Sequence, residues 1–185
     1  MLELNRSQRE IQKAARDFAR GEFDKDLALE MEDNEAFPEK IWKKAGDLGF
    51  LCTHFPEDLS GGGLGLFESV LVAEAFCRQD ASIGSALTLS GFAAECLLHF
   101  GGDALKERFL PAVAEGRTVS AGAFSEPGLG PHWSALQTEA QLKDGAYVIR
   151  GRKSYVINGG RAGFYIVLCR TEPDKTGLIL VEADR

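Results

Sequence analysis

Residues 123–138, AFSEPGLGPHWSALQT, place a hydroxyl, an acid, a Pro-Gly corner and a second glycine between two apolar, strand-like runs. Pro-Gly between hydrophobic segments is first a reverse-turn signal, and a glycine-bearing corner beside a hydroxyl also suits the close approach of a cofactor. Both readings stand on these residues alone. A second glycine-rich stretch, FPEDLSGGGLGLFE, breaks any helix at Gly61, Gly62 and Gly63. No Lys-Ser/Thr follows it and no strand precedes it, so it reads as an interhelical loop rather than a phosphate loop. Cys52, Cys77, Cys96 and Cys169 form no CxxC or CxxH pair, which argues against a zinc site and for reduced, mostly buried thiols. His54, His99 and His132 lie in no HExxH pattern and beside no obvious nucleophile, so no catalytic and no metal-ligating residue is assigned.

The elements around these residues change character along the chain. Ser7 and Glu10 suit a capping box, and Ile11, Ala14, Ala15, Phe18 and Ala19 then follow helical spacing. Pro38 opens another helix with a stripe of Ile41, Trp42, Ala45 and Leu48, closed by Gly49. Helical spacing resumes at Phe67, Val70, Leu71 and Glu74, and the nearly all-apolar run 83–100 reads as a buried helix. Asp103 caps a further helix carrying Leu105, Phe109 and Leu110, before Pro111 and Gly116 punctuate the chain. From there the period falls from about 3.6 to 2. Strands are expected at 119–124, 134–142, 147–157, 163–170 and 177–182, with a hairpin at Lys143-Asp144-Gly145. The fold class is α+β: an all-α helical amino-terminal domain, 1–117, followed by a partial antiparallel β-domain, 118–185, with at least one edge unpartnered.

Composition narrows the function classes. The 185 residues carry 44% hydrophobic side chains, enough for a packed core. A net charge of -7, without a basic run, argues against nucleic acid and anionic membranes as partners. The start, MLELNRSQREIQ, lacks the apolar core of a signal peptide, and no run approaches the roughly 20 residues of a membrane span; a cytoplasmic location without membrane insertion is the expectation.

Four segments in order, FPEKIWKKAGDLGF, PEDLSGGGLGLFESVLVAEAF, HFGGDALKERFLPAVAEGRTVSAGAFSEPGLG and GAYVIRGRKSYVINGGRAGFYIVLCR, resemble the amino-terminal half of an acyl-CoA dehydrogenase. The resemblance spans nearly the whole chain. It implies a helical amino-terminal domain, a middle β-domain and a carboxy-terminal helical domain that this chain does not contain. It also implies FAD, an acyl-CoA substrate oxidised at its α,β bond to a trans-2-enoyl-CoA, and a glutamate base from the missing domain. A homo- or hetero-oligomer, fatty acid metabolism and an electron-transfer flavoprotein as electron acceptor follow from the same resemblance.

By position, Phe124 and Ser125 resemble the strand residues that meet the pyrimidine side of the flavin, and Gly130 the glycine that lets the cofactor approach. Tyr155 matches the aromatic residue along the flavin ring, followed by Val156 and Ile157. Two places depart from the family pattern. Pro131-His132 replaces Ser-Asp, which places Pro131 where a donor to substrate or cofactor phosphate is expected. Ile157 replaces a Thr or Ser near the reactive nitrogen. Glu126 and Glu182 lack the helical setting of the base, so this chain alone is expected to be inactive. A non-catalytic subunit or scaffold completed by a partner chain is the alternative from another class, and a related flavin oxidase or monooxygenase the alternative among enzymes.

Overall fold

In a computed structural model of the chain, the described residues are 3–128 and 135–184. Seven α-helices come first: α1 (Arg6–Glu22), α2 (Lys25–Asp33), α3 (Glu39–Asp47), α4 (Leu66–Gln79), α5 (Ala81–Thr88), α6 (Ala94–Phe100) and α7 (Asp103–Ala114). Five strands follow among the described residues: β1 (Ser120–Ala123), β2 (Glu139–Lys143), β3 (Ala146–Arg150), β4 (Phe164–Glu172) and β5 (Lys175–Glu182).

The capping box of α1 lies two residues earlier than Ser7 and Glu10. Asn5 accepts from the Gln8 N–H at 2.9 Å, and Gln8 returns a side-chain oxygen to the Asn5 N–H at 3.0 Å. An amide pair thus satisfies the donors that a hydroxyl and a carboxylate were expected to meet. Asp24 caps α2 by accepting from Asp26 and Leu27; this helix has no fully buried residue, and its half-buried Ala28 packs against the helical core. In α3, Ile41, Trp42 and Ala45 are buried as expected, whereas Leu48 is 56% exposed because it caps the helix and turns outward.

The run 83–100 is not one helix. It breaks between α5 and α6, and β1 supplies what the broken backbone lacks. Ser120 Oγ accepts from the Ala93 and Ala94 N–H groups, both at 3.1 Å, and the Ser120 N–H donates to the Ser90 carbonyl at 2.8 Å. Asn158 donates to the Leu89 carbonyl at 2.9 Å and to the Ser120 carbonyl at 3.0 Å. Ile83, Leu87, Ala93, Ala94 and Leu97 are thereby buried without orphaning the turn, while Phe92 and Phe100 stay exposed. Pro111 does not end α7, which continues to Ala114 before Gly116 adopts φ +65°.

β4 is the spine of the sheet. β1 pairs with its first half in parallel, Ser120 opposite Phe164 through Ala123 opposite Val167, and β2 meets the same strand in parallel at Glu139–Arg170. β3 and β5 are antiparallel to β2 and β4. The sheet is therefore mixed rather than purely antiparallel, because β1 and β2 reach β4 through long connections instead of hairpins. Asp144 and Gly145, at φ +52° and +80°, make the expected β2–β3 hairpin. β3 ends at Arg150, short of the expected 157. A Cβ at Gly151 would stand 2.7 Å from Thr138 Cα, and Tyr155 and Asn158 take φ +53° and +62°, so alternation stops there. β2 likewise starts at Glu139 rather than 134, and residues 129–134 lie outside the described residues.

Two buried clusters hold the layers together. Phe18, Phe23 and Phe76 pack with Trp42, Ile83, Val119 and Ala121, and the Phe18 ring lies 5.5 Å from Phe76. Phe55, Leu97, Leu110 and Val113 pack with Phe164 and Ile166 of β4. Of the cysteines, which are all free, only Cys169 is fully buried; the other three are half-buried. Among the described residues no helix is long and apolar enough to cross a membrane.

Candidate functional site

The chain leaves β1 through Phe124, Ser125 and Glu126, and each is held differently. Phe124 is half-buried with its ring 5.9 Å from Phe92, Ser125 is exposed, and Glu126 is buried. The Ser154 N–H donates to the Ser125 carbonyl at 2.9 Å, and Lys153 Nζ donates to the Phe124 carbonyl at 3.2 Å. Residues 124–126 and 153–155 are thereby tied side by side although about thirty positions separate them.

Glu126 is the knot of this tie. It accepts from the Gln137 and Thr138 N–H groups, both at 2.8 Å, from the Thr138 hydroxyl, and from Lys153 Nζ at 2.9 Å. Burial alone would raise its pKa, but these donors outweigh burial and hold the carboxyl at about 2. A carboxylate so saturated takes no proton at neutral pH, and Glu126 serves as a strut. Glu182 is engaged by Arg108 at 2.6 Å.

Beyond Ser154, the loop turns the Tyr155 side chain outward. Tyr155 is 93% exposed and sits at φ +53°, a conformation that costs an aromatic residue and persists only where the surroundings impose it. The impositions are visible on both sides: Ser154 is bonded to Ser125, and Asn158 to Leu89 and Ser120. Val156 packs inward on the helical core, and Ile157 is 41% exposed. Ser154 Oγ is buried and has no hydrogen-bond partner among the described residues. An outward ring, an exposed hydroxyl and a fixed backbone edge fit a planar aromatic group laid against this wall. Of the expected site residues, the structure brings Phe124 and Ser125 beside the 155–157 loop. Gly130 and Pro131 lie outside the described residues, as does His132.

Phe92 joins the wall to a cleft of about 290 Å³ lined by apolar Phe50, Leu66, Val70 and Leu89 and by polar Thr53, His54, Ser69 and Glu95. The glycine loop positions this lining. Gly63 and Leu64 N–H groups donate to the Phe55 and Thr53 carbonyls, and a Cβ at Gly61 would overlap the Phe55 backbone. The loop is packed on 53–55 and leaves its glycines no phosphate to cradle. Cys52, at φ +46°, faces the same cleft, with its thiol pushed up to about 12 by burial and then by the Glu95 carboxylate; it is no nucleophile.

His54 does have a hydroxyl beside it, contrary to the expectation from sequence. Its Nδ1 lies 2.8 Å from Ser69 Oγ, and its Nε2 bonds Glu95 Oε1. These residues are 15 and 41 positions from His54, so no short motif unites them. The one available signal was Glu95 itself, the sole carboxylate within the apolar run 83–100.

Comparison with known proteins places the chain in context. The model of the acyl-CoA dehydrogenase N-terminal domain matches residues 5–117, and that of the acyl-CoA dehydrogenase middle domain matches residues 121–185. An acyl-CoA dehydrogenase of Bacillus subtilis (strain 168) is 31% identical over 175 residues, covering 94% of this chain and 46% of that protein. An acryloyl-CoA reductase (NADH) of Anaerotignum propionicum is 31% identical over 174 residues, covering 93% of this chain and 44% of its own length. The solved FAD complex of PigA superposes with a TM-score of 0.86 at 28% identity, over 98% of this chain and 49% of that one. The chain thus spans about half the length of the relatives it matches.

Proposed function

The chain belongs to the acyl-CoA dehydrogenase family, and from that premise we propose that it is the amino-terminal part of an FAD-dependent enzyme oxidising an acyl-CoA at its α,β bond. The observation that carries this reading is the outward wall of Ser125 and Tyr155, continuous through Phe124 and Phe92 with an apolar cleft. The FAD held by PigA supports flavin as the planar group.

In this reading the helical part, 1–117, supplies the cleft and the β part, 118–185, supplies the wall. Phe124 and Ser125 meet the flavin edge, Gly130 lets it approach, and Tyr155 with Val156 and Ile157 runs along the ring. The family resemblance gives Pro131 the substrate-side position. FAD, when bound, supplies the acceptor for the hydride. The chain's own residues orient the ring, exclude water from the cleft and take up the acyl chain. Neither Glu126, saturated by donors, nor Glu182, engaged by Arg108, is free to remove the α-proton. In this reading the base comes from outside these residues, as the family resemblance implies, and this chain alone turns nothing over. A cytoplasmic oligomer in fatty acid metabolism, passing electrons to an electron-transfer flavoprotein, completes the proposal.

The exposed apolar Ile157 favours a second reading, because it offers no hydrogen bond where the family has a hydroxyl. A non-catalytic subunit paired with a flavin-loaded partner would tolerate that loss. One experiment separates the two: the longest native chain is purified and its visible spectrum recorded before and after acyl-CoA. Bound flavin that bleaches is expected; a chain without flavin and without bleaching overturns the enzyme reading. Tyr155→Ala should weaken flavin binding roughly fivefold, corresponding to about 1 kcal/mol of lost stacking, as measured by fluorescence titration.

A further inference from the structure

One wall of the cleft carries a continuous chain of hydrogen bonds. Thr53 Oγ1 lies 2.6 Å from Ser69 Oγ, Ser69 Oγ lies 2.8 Å from His54 Nδ1, and His54 Nε2 bonds Glu95 Oε1. The direction of this chain follows from its acidic end. A carboxylate only accepts, so His54 Nε2 carries the proton and donates to Glu95. With the ring assigned as the Nε2–H tautomer, Nδ1 accepts from the Ser69 hydroxyl, whose oxygen accepts from Thr53.

Every donor in the chain is consumed by the next acceptor. What remains is acceptor capacity at Glu95: its Oε2 lies 3.7 Å from His99 Nε2, beyond hydrogen-bond length, and its side chain is 36% exposed. A plain alkyl chain filling this cleft would strip water from that carboxylate and return nothing. A chain bearing a hydroxyl or ammonium group would replace the lost water.

Resting on the reading of the cleft as the acyl pocket, we infer that the substrate is an acyl thioester carrying a hydrogen-bond donor on its chain. Glu95 receives that donor, and His54, backed by Ser69 and Thr53, is the positioning residue that fixes the carboxylate. The site selects by chemistry at the chain and leaves the thioester end to the rest of the enzyme.

The test uses the full-length, flavin-loaded protein and three thioesters: butyryl-CoA, 4-hydroxybutyryl-CoA and 4-aminobutyryl-CoA. Flavin reduction by a donor-bearing thioester should exceed that by butyryl-CoA at least about tenfold in kcat/KM. Glu95→Leu should reverse this order, and Glu95→Gln should keep a preference for hydroxyl while losing one for ammonium. His54→Phe should reduce the preference while the flavin spectrum stays unchanged, a split that loss of fold would not give. Equal reduction by all three thioesters, or a preference for butyryl-CoA, overturns the inference and leaves the dehydrogenase reading standing. Failure of any thioester to reduce bound flavin overturns that reading, and the inference with it.

Discussion

A carboxylate with only 4% of its side chain exposed must be matched donor for donor, and Glu126 is, with Lys153, 9% exposed, as its cation. The pair contributes less through its charge than through the two segments it locks together, 124–126 and 153–155. The pKa of Glu126 falls from its ordinary 4.5 to about 2 on folding, so its stabilisation is complete above about pH 4.5 and disappears as the pH falls through about 2. That shift corresponds to about 3 kcal/mol. Glu126→Gln should therefore lower the unfolding free energy by about that amount at pH 7 and by less at pH 3, as urea titrations at the two pH values would measure. An equal loss at both would assign the effect to packing instead. The strings around Phe124, Ser125 and Tyr155 were recognisable in the sequence, and the structure sets the two segments side by side. The strut role of Glu126 was not legible there, since its partners at 137, 138 and 153 are chosen by the tertiary fold. The His54, Ser69 and Glu95 chain was hidden for the same reason.

At the scale of elements, helix positions were readable wherever an apolar stripe had a helical period, as in α1 and α3. The run 83–100 misled because uniform apolarity has no period, and a helix and a broken helix then look alike. The break is decided elsewhere in the chain, by Ser120 and Asn158. Only the structure joins the Ser120 hydroxyl to the Ala93 and Ala94 amides, 27 and 26 positions away. Ser120 is wholly buried, so Ser120→Ala leaves both amides without that acceptor. The substitution should cost about 1–3 kcal/mol, read as a lowered thermal midpoint. Because Phe92 lies within the break and meets Phe124, flavin affinity should fall alongside stability. A variant that loses stability but keeps flavin affinity would uncouple the break from the wall. The extended reading of 147–157 failed by a related mechanism: Gly151 allows close passage over Thr138, and the loop beyond it follows hydrogen bonds rather than a pleat.

For the whole molecule, the change of period near residue 118 marks where secondary structure changes, yet the buried clusters disregard it. Val119, Ala121 and Ala162 belong to the cluster of Phe18 and Trp42, while Phe164 and Ile166 belong to that of Phe55 and Leu110. Each core is completed by the other layer, so neither layer buries its apolar face alone. This predicts one cooperative transition instead of two. Phe164, 1% exposed with its ring 5.0 Å from Phe109, is the most telling position, because it lies on the sheet spine and packs among helices. Phe164→Ala should cost about 3–5 kcal/mol. The loss should appear equally in the helical circular dichroism at 222 nm and, in a Trp133→Phe background, in the fluorescence of Trp42, which sits in the other cluster. If the layers were independent, the variant would melt its sheet while α1 and α3 stayed folded, and Trp42 would report no change. Coincident transitions would instead show that the wall and the cleft are supported by a single folded unit, so that a substitution in either core loosens the site as a whole.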